Sequence, residues 1–117
     1  MMRVSGTPCI ARRVRQVAAA LGAGTCLALA GAALGATTHT VAIEGTRFVP
    51  ERLEVQRGDR VVWTNRDPFP HTATAKGAFD SGSIAGDRSW TYVADKPGSY
   101  AYICTFHPTM KGTLVVH

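Results

Sequence analysis

Residues 98–117 read GSYAYICTFHPTMKGTLVVH: two strand-like runs, GSYAYI and GTLVVH, joined by Cys104-Thr105-Phe106-His107-Pro108-Thr109-Met110. A thiolate, an imidazole and a thioether thus fall at C-x2-H-x2-M spacing within one hairpin. That donor set favours copper, and a trigonal His2Cys site with a long axial Met is an electron-transfer arrangement. One imidazole is missing from the set. His71, in the segment PFPHTAT after another strand-like run, VVWTN, can supply it if sandwich packing brings the two connections together.

Working outward, the chain before this hairpin is a series of short runs of period two. HTVAIEG places Val41 and Ile43 on one face, RLEV pairs Leu53 with Val55, and DRVVWTN pairs Val61 with Trp63; RSWTYVA follows the same rule. Gly45, Pro50, Gly58, Pro68, Pro70, Gly77, Gly82, Gly86, Pro97 and Gly112 punctuate the runs. No helical apolar stripe of ten or more residues occurs after residue 36. Short, evenly spaced strands predict an antiparallel β-sandwich with Greek-key connections. In GSYAYIC, alternation sends Tyr100, Tyr102 and Cys104 to one side and Ala101 and Ile103 to the other. DKPGSY predicts a tyrosine corner, with the Tyr100 hydroxyl bonded to backbone near Asp95.

Residues 1–36 have a different character. Arg3, Arg12, Arg13 and Arg15 precede an uncharged Ala/Gly/Leu-rich stretch from Val17 to Leu34 that ends in small residues, AALGA. This reads as a cleaved export signal rather than a membrane anchor, which leaves 37–117 as the mature domain in the periplasm with no stable membrane insertion. Arg12-Arg13 allows a twin-arginine as well as a general export route.

The whole chain carries 13 Lys+Arg against 8 Asp+Glu. Four of those bases and none of the acids lie in the signal, so the mature part is nearly neutral. It offers no basic stripe for a nucleic acid. Cys9, Cys26, Met1 and Met2 also leave with the signal, so Cys104 and Met110 are the single Cys and single Met of the domain. An unpaired thiol in an exported protein points to a metal ligand more than to an inert core residue when His107 and Met110 follow at three-residue steps.

The segments VVWTNRDPFPHTATAKGAFDSG and KPGSYAYICTFHPTMKGTLVVH resemble the small type 1 copper proteins, the cupredoxins, and most closely their amicyanin and plastocyanin branch. The C-x2-H-x2-M spacing is the short, amicyanin-like form. The resemblance implies an all-β, cupredoxin-like Greek-key sandwich holding one copper ion, Cu(I)/Cu(II), on His71, Cys104, His107 and Met110. It also implies a monomer that exchanges single electrons with redox-partner proteins docking near His107, through an apolar patch that Phe69, Pro70, Phe106 and Pro108 can form. Thr72 stands where the family commonly has an Asn that ties the two ligand loops, and a hydroxyl reaches less far. The stretch AKGAFDSGSIAG is short for the family, and the plastocyanin acidic patch has no counterpart.

Two further readings follow from the residues. A periplasmic copper carrier or buffer would use the same ligands without fast redox cycling. An enzyme is disfavoured, because catalysis at copper calls for an open coordination position or a second metal, and the mature sequence has no further His/Cys cluster. If export cleavage exposes Thr37, then Thr37-Thr38-His39 offers an amine, two amides and an imidazole for a separate square-planar Cu(II) site.

Overall fold

The computed structural model describes residues 35–117, so nearly all of the segment read as an export signal lies outside the described residues. Among the described residues nine strands make two sheets. In chain order they are β1 (Thr38–Ile43), β2 (Phe48–Val49), β3 (Arg52–Val55), β4 (Arg60–Asn65), β5 (Thr74–Ala75), β6 (Phe79–Asp80), β7 (Ser89–Val93), β8 (Gly98–Cys104) and β9 (His107–Val116). One sheet has the order β2-β1-β4-β7 and the other β3-β9-β8-β5-β6.

The period-two runs become strands because each has one apolar face to bury. Val41, Ile43, Val61 and Trp63 are fully buried from the first sheet, and Tyr102, Cys104, Leu114 and Val116 face them from the second. Trp63 lies at the centre, edge-on to Tyr102 at 5.4 Å and tilted against Phe79 at 5.5 Å and Trp90 at 5.6 Å. Each such burial contributes roughly 1.5–3 kcal/mol relative to exposure. The tyrosine corner forms one residue later than expected, with the Tyr100 hydroxyl donating to the Lys96 carbonyl at 2.7 Å.

The sandwich is as the sequence predicts, but its strands are not all antiparallel. β1 runs parallel to β4, and β3 runs parallel to β9. The chain leaves the first sheet after β2, spends β3 in the second and returns as β4. That excursion replaces a hairpin with a crossover, and only a crossover lets neighbouring strands run in the same direction. Gly112 also differs from its reading as a breaker. It lies inside β9, and a Cβ there would come within 2.4 Å of the Tyr102 ring, so the strand needs a glycine for packing rather than for turning.

The structure gives the segment 37–39 a structural task. The Thr37 amide donates to Asp59 Oδ1 at 3.0 Å, and His39 Nε2 meets Asp59 Oδ2 at 2.9 Å. Thr38 and His39 pair with Arg60 and Val61 in the β1–β4 ladder. These contacts occupy the Thr37 nitrogen and the His39 imidazole, two of the four nitrogens that a square-planar site there would use.

Candidate metal centre

Three elements converge at one end of the sandwich. Cys104 is the last residue of β8, and His107 is the first of β9 and pairs directly with it. The next register pair is Ile103 with Lys111, so residues 108–110 bulge out of the ladder. A bulge re-aims side chains, and here Met110 turns inward, 4% exposed and part of the same buried cluster as Cys104. Local spacing thus gives all three hairpin donors a place at the same end of the core.

His71 comes from the connection after β4. It is fully buried and fixed by a two-way backbone bridge to Ile84, His71 N to Ile84 O at 3.1 Å and Ile84 N to His71 O at 2.7 Å. His71 Nδ1 lies 3.6 Å from Cys104 Sγ, and His107 Nδ1 lies 3.8 Å from the same sulfur. One ligand atom from each of His71, Cys104 and His107 falls within 4.8 Å of the other two. The structure therefore brings together His71, Cys104 and His107 from two separate connections, and Met110 is buried within the same hairpin.

Each donor is held by its neighbours. The Thr72 amide donates to Cys104 Sγ at 3.3 Å and fixes the sulfur at the end of its strand. His71 Nε2 lies 2.8 Å from Asp67 Oδ2. An ionised carboxylate only accepts, so Nε2 is the donor in this contact, and Nδ1 is the ring nitrogen turned toward the sulfur. Burial pushes the Asp67 carboxyl up, but bonds from the Thr46 and Gly45 amides and from His71 outweigh it and hold the group below its ordinary value. Asp67 and Asn65 are the functional neighbours that the sequence reading missed. Only a loop that folds back on itself puts an Asp four residues before a His against the far ring nitrogen, and no periodicity signals such a loop.

The ligand loops are also tied together. Thr72 Oγ1 accepts the Thr105 amide at 2.9 Å and lies 3.2 Å from Thr105 Oγ1. Thr74 Oγ1 lies 3.0 Å from both Thr72 Oγ1 and Asp80 Oδ1 and extends the network. The hydroxyl at position 72, shorter in reach than an Asn side chain, spans the gap because β5 and β8 lie side by side in one sheet.

His107 is the one partly exposed member of the donor group. Phe69 and Phe106 beside it are 42% and 52% exposed, and Pro70 and Pro108 are exposed as well. The Phe69 ring stands 6.1 Å from His107 and 5.2 Å from His71. These aromatics are surface groups over the donors rather than core.

Residues 17–116 match the family model described as a cupredoxin-like domain. The chain is a member of the cupredoxin-like family. Among its relatives, amicyanin-alpha of Methylorubrum extorquens is 33% identical, over 84% of this chain and 86% of the relative. The chloroplastic plastocyanin of Tetradesmus obliquus is 30% identical, over 90% of this chain and 81% of that protein. Among solved structures, the Cu(I) form of an amicyanin variant superposes with a TM-score of 0.66 at 26% identity, covering 74% of this chain and 88% of that one. A copper-containing nitrite reductase from Thermus scotoductus reaches the same TM-score at 30% identity, but the match takes in only 23% of its chain. Copper is the cofactor that this cupredoxin's donor set fits: one thiolate and two imidazoles around a point, with a buried thioether in reserve.

Proposed function

We propose that the mature protein, 37–117, is a periplasmic carrier of single electrons whose copper ion is held by His71, Cys104, His107 and Met110. The copper supplies one-electron exchange between its two common oxidation states. The chain's task is to make that exchange cheap in nuclear rearrangement. Cu(I) accepts low coordination and soft sulfur while Cu(II) prefers nitrogen donors, so a free complex would change shape at every transfer. Here His71 is immobilised by Ile84 and Asp67, Cys104 ends a paired strand, and Thr72 ties its loop to that of Cys104. The ligands therefore stay in place when the charge changes. Burial of His71 and Cys104 keeps water from adding as a further ligand, and His107 with its apolar surround offers a route for the electron to a partner.

The observation that carries this reading is the approach of both Nδ1 atoms to one buried sulfur, at 3.6 and 3.8 Å. Brief docking suits a small apolar patch. The test is the optical spectrum of the protein with one equivalent of Cu(II). A strong thiolate-to-metal band at about 600 nm that vanishes in Cys104→Ala, together with rapid reversible reduction, is the expected result. Sluggish electron exchange with rapid copper release to a chelator would instead assign the site to copper transport. No blue band at all would overturn both readings.

A further inference from the structure

Asp67 is a buried carboxylate, 7% exposed, that the donor set does not include. Its two oxygens are fully engaged. Oδ1 accepts the Gly45 amide at 2.8 Å, and Oδ2 accepts the Thr46 amide at 2.9 Å and meets His71 Nε2 at 2.8 Å. Gly45 and Thr46 are consecutive residues with φ of 63° and 58°, so two successive amides of the β1–β2 turn form a cradle for an anion. A β-branched residue in the left-handed region is rare and costs about 1–3 kcal/mol; such strain persists where surrounding structure imposes it. Behind Asp67, Asn65 Oδ1 accepts the Asp67 amide at 2.9 Å, while Asn65 Nδ2 donates to Phe69 O at 2.8 Å and Ile84 O at 2.9 Å. The loop that carries His71 is thus clamped from both sides, and the clamp ends on an anion at the far nitrogen of a donor imidazole.

We infer that Asp67, seated on the Gly45–Thr46 cradle, is a positioning residue that fixes the His71 tautomer and biases the copper toward Cu(II), lowering its reduction potential. This rests on the copper reading of the site. An anionic partner at Nε2 makes the imidazole a more electron-rich donor at Nδ1, and partners of this kind change metal affinity by roughly 10–100-fold. The richer donor favours the more highly charged ion, so the effect falls mainly on Cu(II). The turn supplies the geometry: its two amides seat the carboxylate where Oδ2 meets His71 Nε2.

The test is Asp67→Asn in the copper-loaded protein, with Thr46→Gly beside it. Asp67→Asn is expected to keep the blue band and to shift the Cu(II)/Cu(I) affinity ratio about tenfold toward Cu(I), a rise of about 59 mV for one electron. Thr46→Gly keeps the amide donor and is expected to leave the potential unchanged. An unchanged potential in Asp67→Asn, or an equal rise in Thr46→Gly, would overturn the assignment. Should Asp67→Asn not fold, nitrogen-15 shifts of His71 in the wild-type protein decide: a proton on Nε2 supports the inference, and a proton on Nδ1 in the metal-free form sinks it. A wild-type chain with no blue band would remove the copper reading, while those His71 shifts would still report on Asp67.

Discussion

Thr72 Oγ1 accepts the backbone amide of Thr105 across 2.9 Å, the shortest of the Thr72 bonds that join the connection carrying His71 to the hairpin carrying the other donors. Thr72 is 3% exposed, while Thr105 lies at the surface. Removing the hydroxyl by Thr72→Val leaves the Thr105 amide without its protein acceptor. Loss of one such part-buried hydrogen bond costs about 0.5–1.5 kcal/mol, and the denaturant midpoint should fall accordingly. Thr72→Ser keeps the oxygen and is expected to recover most of the loss; equal midpoints for the Val and wild-type proteins would show that the tie carries no stability.

Asp59 gives the acid side of the stability curve. Bonds from the Thr37 amide, then His39, then the Gln56 amide hold its carboxyl at about 2, against an ordinary value of 3.8. A depressed folded-state value means that its stabilisation is present above pH ~4 and is lost as pH falls through the folded value. The stability difference between wild type and Asp59→Asn should therefore shrink as pH drops from about 4 to about 2. Urea midpoints of the two proteins across that range check it, since acid losses shared by both cancel in the difference. A gap that stays constant or widens toward low pH would contradict the depressed value.

The alternation of GSYAYIC was enough to place Tyr102 and Cys104 inside, and the C-x2-H-x2-M run was enough to name three donors, because both patterns are local. What escaped the sequence depends on contacts between distant segments. The parallel pairing of β1 with β4 follows from a crossover that no single run records. β5 and β6, two residues each, lie in a stretch read as loop, since strands this short leave no periodicity. Asp67 carries no signal of its own in the sequence, and its role exists only because the distant Gly45–Thr46 turn folds onto it. Gly112 looked like a breaker for the same reason: the Tyr102 ring that demands it lies on the neighbouring strand.

That last contact can be tested directly. A methyl at position 112 would meet Tyr102 Cζ at 2.4 Å, and Tyr102 is 2% exposed and packed edge-on against Phe48 and Trp63, so the ring has little room to retreat. Overpacking of this kind costs about 1–3 kcal/mol, and Gly112→Ala should lower the melting temperature to match. In the double variant with Tyr102→Leu the cost of the added methyl should be smaller than in the wild-type background, a coupling expected of residues in contact. Simple additivity would mean that the ring is not what the glycine accommodates.

Copper itself should raise stability by mass action, because the donors come together only in the folded chain. At a free copper concentration 100 times the dissociation constant the gain is about 2.7 kcal/mol. Thermal scans with and without one equivalent of copper should show the metal-free protein melting lower. Coincident midpoints would mean that the folded and unfolded chains bind the ion equally.

The exposed Phe106, with Phe69 over His107, gives the final test, which concerns how electrons leave the centre. If the patch is the docking surface, two copies of the protein can meet through it, and electron self-exchange between oxidised and reduced copies reports on the contact without a known partner. Phe106→Lys places a charge in the middle of the apposed patches and repels its own counterpart. Self-exchange, followed by NMR line broadening, should slow by about tenfold, equivalent to about 1.4 kcal/mol in the encounter, and high salt should restore part of it. Phe106 is 52% exposed, so the substitution leaves the core intact, and the blue band should not move. A variant that exchanges as fast as wild type would place the docking surface elsewhere.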